Sequence, residues 1–378
     1  MKLLSQIPEI TFDDVLILPG KTTMPINEDI AKIDISTKIT KTLKLKIPIT
    51  SAPMLNVSGM GLALTLGKLG GMSFIHNYQS FDDQVNIVAT VSGNKVPVAA
   101  SLDFSNPGAL KHAENLWRNG ASLICLETAN AYNIQLLSFI KRIKGRFPKI
   151  EICAAVTVTS EAVLELIKAG IDCIRIGIGG GSHCTTRIIT GIGRPQLSAV
   201  YECAKAAKRF DVPIISDGGI KDPGDIAKAL VFGANAVTIG GLFAGTDKAP
   251  GRLINQNGKL YKLSWGMCVE ESFGKTHKPN DGSDISVFSI IKSKLKSGWH
   301  LNQPREKLFT PLEEGSGGLI PYSGTTTELI EKFIKSLKRS LWYVGAKNLD
   351  ELRQNAQVVL TSANTVQENF PRLEIRYK

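Results

Sequence analysis

The segment best suited to chemistry is 177–187, GIGGGSHCTTR, which follows a short apolar run. Its glycines let the backbone approach a ligand closely and turn N–H groups toward a phosphate. A cysteine such as Cys184, held among backbone amides and near a cation such as Arg187, is well placed to act as a nucleophile. The alternative is a flexible loop that carries a structural cysteine. The elements around the segment decide between the two.

Eight short apolar or β-branched runs begin at residue 47 and alternate with helical patterns. The runs are 47–51, 72–76, 96–102, 123–128, 150–156, 173–178, 212–216 and 236–240. Helical patterns fill intervals such as 109–119, 135–146, 160–169, 198–209 and 222–232, and several end in glycine, a common stop signal. Strands that alternate with helices of this length form parallel βαβ units. Eight units predict an α/β fold, a (β/α)8 TIM barrel, with its site at the carboxyl ends of the strands.

Polar residues and glycines collect at those carboxyl ends. They are Ser51 to Met54, His76 and Asn77, Asp103, Glu127 to Asn130, the Cys184 segment, Asp217 to Gly219, and Gly240 with Gly241. Several such groups on one rim indicate a binding site rather than unrelated surface residues. For Asp217 alone, a helix or turn cap is the alternative, and for Glu127 a salt bridge.

The length suits one large barrel domain, which we expect to span 1–378. Of the 378 residues, 43% are hydrophobic and 21% charged, an ordinary globular composition. The stretch 246–321 after the eighth strand is too long for an ordinary connection and predicts a lid insertion. A helical pattern over 325–341 predicts a last helix that closes the barrel. The tail beyond Leu352 is expected to be peripheral or to contact another subunit.

Composition also limits compartment and partners. The six cysteines are scattered, without a CxxC pair or zinc-site spacing, and no apolar run is long enough to cross a membrane. We therefore expect a reduced, cytoplasmic protein with no membrane partner. The net charge is +11, but no basic stripe with interleaved aromatic residues accompanies it, so nucleic acid is not expected. An anionic small substrate explains the positive charge equally well.

Six strings, in order along such a barrel, resemble the inosine monophosphate dehydrogenase and guanosine monophosphate reductase family. They are 12–15 (FDDV), 51–54 (SAPM), 177–187 (GIGGGSHCTTR), 191–196 (GIGRPQ), 215–220 (ISDGGI) and 266–267 (GM). Each string is weak alone, but together they cover nearly the whole chain.

The resemblance implies that a purine nucleoside monophosphate binds and that Cys184 attacks C2 of its base, forming a covalent thioether. It implies phosphate binding by Ser182 and nearby backbone, and ribose binding by Asp217. The substrate residues it implies are Met54, Ser182, Asp217, Gly218, Gly219, Gly240, Gly241, Gly266 and Met267. Those implied for a nicotinamide cofactor stacked on the purine are Asp103, Glu127, Thr128, Ala129, Asn130 and Tyr132. It also implies a homotetramer and a K⁺ ion held by the backbone carbonyls of Gly179, Gly181 and Cys184.

Three features favour the reductase branch of the resemblance. The connection between His76 and Val96 has no room for the regulatory pair of CBS repeats that the dehydrogenases usually carry. The stretch 246–321 lacks the dehydrogenases' Arg-Tyr pair, and it carries Glu270 where the reductase has a glutamate. Segment 127–132 (ETANAY) is also similar to the reductase. The resemblance thus implies NADPH-dependent reductive deamination of GMP to IMP and ammonia, with Thr186 and Glu270 as an acid/base relay.

The chain departs from the reductase pattern at several positions. Asn77 replaces a lysine, Glu127 an aspartate, Ala155-Val156 a Gly-Asn pair, Gly180 a proline and Ser264 an aromatic residue. The segments 314–318 and 364–370 are more similar to the dehydrogenase. Two alternatives therefore stay open. One is an IMP dehydrogenase without CBS repeats, which converts IMP and NAD to XMP; the other is a homologue that binds purine nucleotides without turnover.

Overall fold

The computed structural model describes residues 8–25, 30–266, 315–362 and 364–369. Before the barrel lie a 3₁₀-helix, Phe12–Asp14, and strands β1 (Val15–Leu18), β2 (Thr37–Lys38) and β3 (Lys44–Leu45). Strands β2 and β3 form an antiparallel hairpin, and Ile39 and Leu45 are buried with side chains of the barrel interior. Lys46 donates its N–H to the carbonyl of Gly70, just before a barrel strand begins. The hairpin therefore covers the amino-terminal end of the barrel.

Eight parallel strands close the barrel, which confirms the predicted (β/α)8 fold. They are β4 (Ile49–Ser51), β5 (Met72–Ile75), β6 (Val98–Leu102), β7 (Leu123–Glu127), β8 (Ile152–Thr157), β9 (Cys173–Ile176), β10 (Ile214–Asp217) and β11 (Ala236–Ile239). Each pairs with its neighbours in chain order, and β11 pairs with β4 to close the ring. All eight predicted runs are strands, and the observed ends differ from the predicted ones by at most two residues.

Helices surround the strands. They are α1 (Met60–Lys68), α2 (Phe81–Gly93), α3 (Ala109–Arg118), α4 (Ile134–Arg146), α5 (Ser160–Ala169), α6 (Thr186–Thr190), α7 (Gln196–Lys208), α8 (Pro223–Val231), α9 (Gly241–Ala244), α10 (Thr326–Val344), α11 (Leu349–Asn355) and α12 (Thr365–Glu368). Side chains of Asn133, Thr159 and Thr325 accept backbone N–H bonds at the starts of α4, α5 and α10. Helix α10 packs against α8 and α1, so the last predicted helix does close the ring.

Two apolar layers hold the fold together. One lies between strands and helices, and the other fills the barrel, where Phe74 on β5 is buried together with Cys125, Cys153 and Cys173 on the adjacent strands β7, β8 and β9. Burial raises the pKa of the Cys125 and Cys153 thiols well above the ordinary value, so both behave as small apolar groups. Toward the carboxyl end the interior becomes polar, beginning with the hydrogen bond between the hydroxyls of Thr50 and Thr238.

Four strands that follow the barrel bear on the predicted lid and on the predicted role of the tail. Segment 246–321 contributes an antiparallel sheet of β12 (Leu253–Gln256), β13 (Lys259–Trp265) and β14 (Gly317–Pro321). Residues 267–314 lie outside the described part, so the lid and the single-domain boundary stay predictions. The tail strand β15 (Gln357–Leu360) pairs with β1 of the same chain, placing Val15 opposite Leu360. The tail is therefore tied to the start of the chain, and its expected subunit contact remains untested.

A buried histidine between α2 and α3 gives the fold a pH dependence. Gln84 Nε2 donates to the carbonyls of His76 and Ser101, so its Oε1 accepts from His112 Nε2–H at 2.7 Å. His112 is 2% exposed and stacks on Phe81. Its Nδ1 has no partner among the described residues, and burial lowers the pKa of His112 to about 4. The unfolded chain, with a histidine pKa near 6.5, binds this proton first as the pH falls, so unfolding is favoured below that value.

His112→Leu is expected to lower the free energy of unfolding by about 1–3 kcal/mol at pH 7, because Gln84 Oε1 loses its donor. Between pH 7 and 5 the wild type loses about 2 kcal/mol through this histidine, and the variant does not. The difference in the free energy of unfolding between wild type and His112→Leu should therefore be smaller at pH 5 than at pH 7. Urea unfolding of both proteins at the two pH values measures it. A gap that is the same at both would contradict the assignment, because other titrating groups are shared.

Candidate active site

Cys184 lies on the loop that leads from the carboxyl end of β9 into α6. Its side chain is half-buried, and Sγ is 3.1 Å from Oγ1 of Thr186, the first residue of α6. The N–H of Cys184 donates to the carbonyl of Gly181, and an isolated antiparallel bridge joins Cys184 to Gly315 next to β14. A partly exposed thiol beside a hydroxyl can attack an electrophile while the hydroxyl exchanges a proton.

The side chain of Arg187 stabilises this loop through two hydrogen bonds. Its Nε donates to the carbonyl of Ile178 at 3.0 Å, and Nη2 donates to the carbonyl of Arg194 at 2.5 Å. The sequence suggested Arg187 as a cation near the thiol. In the structure, its hydrogen bonds go to backbone carbonyls on both sides of the loop, which fixes the path of the chain around Cys184.

Two glycines predicted for substrate binding pack directly against the loop. Gly218 has a φ of +91°, and a Cβ built on it would lie 3.1 Å from the backbone nitrogen of Gly181. A Cβ on Gly241 would lie 2.4 Å from Oγ of Ser182. A side chain at either position would require its neighbours to shift, so Gly218 lies close to the loop backbone and Gly241 close to the side chain of Ser182.

Two more predicted substrate residues line the same region. Met54 is 8% exposed, and its sulfur is the nearest neighbour of a Cβ built on Gly240, at 3.1 Å. Gly219 borders a cavity of about 230 Å³ beside the loop. The other residues that line this cavity are Thr11, Phe12, Gly179, Gly180, Arg187, Gln196 and Lys221. The structure thus brings Gly218, Gly219 and Gly241 against the loop 177–187 that carries Ser182.

A buried arginine joins two predicted site carboxylates. Arg175 on β9 is 3% exposed, and its guanidinium donates to Glu127 Oε1 and Asp217 Oδ2, each at 2.6 Å. Ser101 also donates to Glu127 Oε1, and the guanidinium lies 5.0 Å from the ring centroid of Phe74. Burial alone lowers the pKa of Arg175, but the two carboxylates raise it well above the ordinary value, so the group is cationic.

Arg175, Glu127 and Asp217 form an ion-pair triad, which bears on the structural roles considered for the two acids. Glu127 forms the salt bridge that was its alternative role, while Asp217 pairs with Arg175 rather than capping a helix or turn. Neither observation excludes a ligand, because each carboxylate keeps a second oxygen. Sequence reasoning missed Arg175, although one signal was available. A charged residue inside an apolar strand, on the same face as Cys173 two positions earlier, requires a partner inside the barrel.

The predicted cofactor residues lie along the rim beside this triad. Asp103 is exposed, and its Oδ1 accepts from the N–H and hydroxyl of Ser105 in a local turn. The N–H of Asn130 donates to Oγ1 of Thr128, and the Asn130 side chain accepts from the N–H of Tyr132. Ala129 and Tyr132 are exposed as well.

Strand β8 reaches the same rim through its backbone. The N–H of Val156 donates to the carbonyl of Thr128, and the N–H of Thr128 donates to the carbonyl of Ala155. These bonds place Val156 beside the rim in the position where the resemblance expects an amide. Asn77, where it expects a lysine, has a buried Oδ1 with no partner in the described part of the chain.

His183 connects the loop to β13. Its Nδ1 is 3.1 Å from Ser182 Oγ and its Nε2 is 2.8 Å from Ser264 Oγ, which accepts from Asn56 Nδ2 at 2.5 Å. Burial lowers the pKa of His183, which favours the neutral imidazole. Sequence reasoning assigned no role to His183 or Asn56. The available signal was Ser264, a small polar residue in place of an aromatic one.

Some predictions fall outside this geometry. Met267 and Glu270 lie outside the described residues, while Gly266 is described, and its N–H donates to the carbonyl of Ser316. Within the described ranges, no group of three or more His, Cys, Asp or Glu side chains is arranged to hold a metal ion. None of the helices described is long and apolar enough to span a membrane.

Comparison with known proteins gives the relationship. A family model described as "IMP dehydrogenase / GMP reductase domain" matches residues 9–372. A GMP reductase from Onchocerca volvulus is 32% identical, over 99% of this chain and 97% of that protein. An inosine-5'-monophosphate dehydrogenase from Borreliella burgdorferi is 29% identical over 96% of both chains. Another, from Chlorobaculum parvum, is 38% identical over 67% of this chain and 48% of its own length. The chain therefore belongs to the IMP dehydrogenase / GMP reductase family.

Proposed function

We propose that this protein is a GMP reductase, which converts GMP to IMP and ammonia at the expense of NADPH. One GMP, one NADPH and one proton are consumed, and one IMP, one ammonia and one NADP⁺ are formed. The observation that carries the proposal is the thiol of Cys184 at 3.1 Å from the hydroxyl of Thr186, at the carboxyl end of the barrel.

In this proposal the thiolate of Cys184 adds to C2 of guanine, a carbon–sulfur bond forms, and the C2 amino group leaves as ammonia. Thr186, with Glu270, delivers the proton that the leaving ammonia requires. The reduced nicotinamide, when bound, supplies a hydride to C2, and the carbon–sulfur bond then breaks to regenerate the thiolate. A covalent intermediate divides one difficult substitution into two easier steps.

The substrate roles follow the grouping around the loop. Ser182 and the backbone of Gly218, Gly219, Gly240 and Gly241 bind the phosphate in this proposal, because close backbone approach brings N–H donors to an anion. Asp217 accepts hydrogen bonds from the ribose hydroxyls through the oxygen that Arg175 leaves free. Met54, Gly266 and Met267 contact the base.

The rim residues fit a nicotinamide in part. Glu127 keeps one oxygen free of Arg175, and Thr128, Ala129, Asn130 and Tyr132 present a largely exposed, mostly polar edge with Asp103 beside it. The apolar side chain of Val156 offers no hydrogen bond at this edge. For K⁺, the carbonyls of Gly179, Gly181 and Cys184 would be the ligands. That of Gly181 already accepts one N–H bond and keeps a lone pair for a cation.

The sequence of segment 246–321 favours the reductase over the dehydrogenase. A dehydrogenase must activate water to hydrolyse the thioether, and this segment lacks the Arg-Tyr pair that the resemblance expects for that step. The specific observation for the alternative is that relatives named inosine-5'-monophosphate dehydrogenase match at identities comparable to those of relatives named GMP reductase. In that case the enzyme would oxidise IMP to XMP with NAD⁺.

Purified protein mixed with GMP and NADPH is expected to consume NADPH, measured as loss of nicotinamide absorbance, and to release equimolar ammonia and IMP. A parallel reaction with IMP and NAD⁺ is the matched control, and we expect it to form no NADH. NADH and XMP in the control would replace the reductase with the dehydrogenase. If neither reaction proceeds but GMP still binds, the remaining alternative is a homologue that binds purine nucleotides without turnover.

A further inference from the structure

A chain of hydrogen bonds runs from the inside of the fold to the loop that carries the nucleophile. It begins at Asn56, which is 3% exposed, passes through the fully buried Ser264 and the imidazole of His183, and ends at the exposed Ser182. The three links measure 2.5, 2.8 and 3.1 Å. The reaction proposed above uses Ser182 but gives the other three members no role.

Donors and acceptors give this chain a direction. Asn56 Nδ2 can only donate, so Ser264 Oγ accepts there and has one hydrogen left, which it donates to His183 Nε2. An Nε2 that accepts leaves the proton of the neutral imidazole on Nδ1, and Nδ1–H then donates to Ser182 Oγ. As placed, the Asn56 amide leaves Oδ1 and one N–H without a partner among the described residues, and the opposite orientation would leave both N–H groups without one.

We propose that His183 is a positioning residue that fixes the hydroxyl of Ser182 as a donor toward the phosphate of the bound nucleotide. Ser182 Oγ accepts from His183, so its own hydrogen points away from the imidazole. Oriented in this way before binding, the hydroxyl meets the anionic oxygen without having to reorganise. The inference rests on the proposed function, in which Ser182 contacts the phosphate.

Packing holds both ends of this link in place. The carbonyl of His183 accepts from the N–H of Ser316 at 2.8 Å and from its hydroxyl at 3.2 Å, which fixes the backbone beneath the ring. On the other side, Gly241 approaches Ser182 so closely that a Cβ there would lie 2.4 Å from Oγ. Ser182 is therefore confined between the imidazole and the start of α9.

The tautomer of His183 tests the direction of the chain in the free protein. NMR of protein labelled with ¹³C and ¹⁵N in histidine distinguishes Nδ1–H from Nε2–H, and a His183→Gln variant identifies the signals among the five histidines. We expect Nδ1–H. The Nε2–H form would reverse every donor in the chain and overturn the proposal.

Ligand binding tests the consequence. His183→Leu is expected to weaken GMP binding about tenfold and to leave guanosine binding unchanged, because only GMP carries the phosphate. KM for GMP should rise while kcat changes little. His183→Asn, whose amide offers a donor near the position of Nδ1, should recover most of the loss. Ser182→Ala should weaken GMP binding at least as much, and adding His183→Leu to it should cost nothing further.

The outcomes separate this inference from the proposed function. Equal weakening of GMP and guanosine by His183→Leu, or losses that add in the double variant, would make His183 a merely structural residue. If His183→Leu does not fold, Ser264→Ala gives the same comparison, because it releases Nε2. If the wild type neither binds nor turns over GMP or IMP, the proposed function fails. In that case, the difference between the binding affinities of ribose 5-phosphate and ribose measures the phosphate contact. The tautomer of His183 still decides the direction of the hydrogen-bond chain.

Discussion

Cys184→Ala is expected to abolish reduction of GMP, with kcat falling on the order of 10⁴-fold or more, while GMP still binds. Without the thiolate no carbon–sulfur bond forms at C2, and the hydride has no activated carbon to reduce. The rest of the loop is held by contacts that the substitution leaves intact, above all the two bonds from Arg187 to backbone carbonyls. The measurement is NADPH consumption in parallel with GMP titration.

The matched control is Cys203→Ala on α7. Cys203 is fully buried, and burial raises the pKa of its thiol to about 12, so it is neither accessible nor reactive. The control should keep its turnover and lose at most modest stability. Iodoacetamide should inactivate the wild type in step with labelling of Cys184, located by mass spectrometry, and GMP should slow both. Turnover retained by Cys184→Ala would refute the covalent mechanism.

The barrel was predictable because its signals are local. Each parallel strand is buried on both faces and appears as a short apolar run, and helices such as α5 begin at a capping threonine and end at Gly170. Parallel strands place their carboxyl ends together, so residues as distant in sequence as Met54, Cys184 and Asp217 could be assigned to one rim before any coordinates. The general location of the site follows from that topology.

The links within the site were not predictable, because they join residues with no local signal. Asn56 and Ser264 lie 208 positions apart, and their bond depends on how β13 packs against the barrel. The pairing of β1 with β15 likewise joins the two ends of the chain through edge strands, whose partner no periodicity specifies. Arg175 was detectable as a charged residue within an apolar strand, but the two carboxylates with which it forms ion pairs depend on the register of the barrel strands.

Arg175→Met is expected to lower the free energy of unfolding by about 3–5 kcal/mol, because it leaves two carboxylates near each other without their shared cation. Glu127 and Asp217 are only 11% and 17% exposed, so water compensates poorly. Methionine keeps much of the volume and the apolar contact with Phe74. The loss should therefore come from charge rather than from a cavity. Urea or thermal unfolding at pH 7 measures it.

The control for that loss is another arginine–glutamate pair on the surface. Arg118→Met removes an ion pair with Glu114 in which the arginine side chain is 64% exposed, and it should change stability by less than about 1 kcal/mol. Adding Glu127→Gln to Arg175→Met removes one of the stranded charges and should recover about 1–3 kcal/mol. Equal effects of Arg175→Met and Arg118→Met would mean that the buried triad contributes nothing net. Failure of Glu127→Gln to recover stability would place the loss in packing instead.

Because Asp217 and Glu127 are the proposed ribose and nicotinamide contacts, Arg175→Met should also raise KM for both GMP and NADPH, whereas Arg118→Met should change neither.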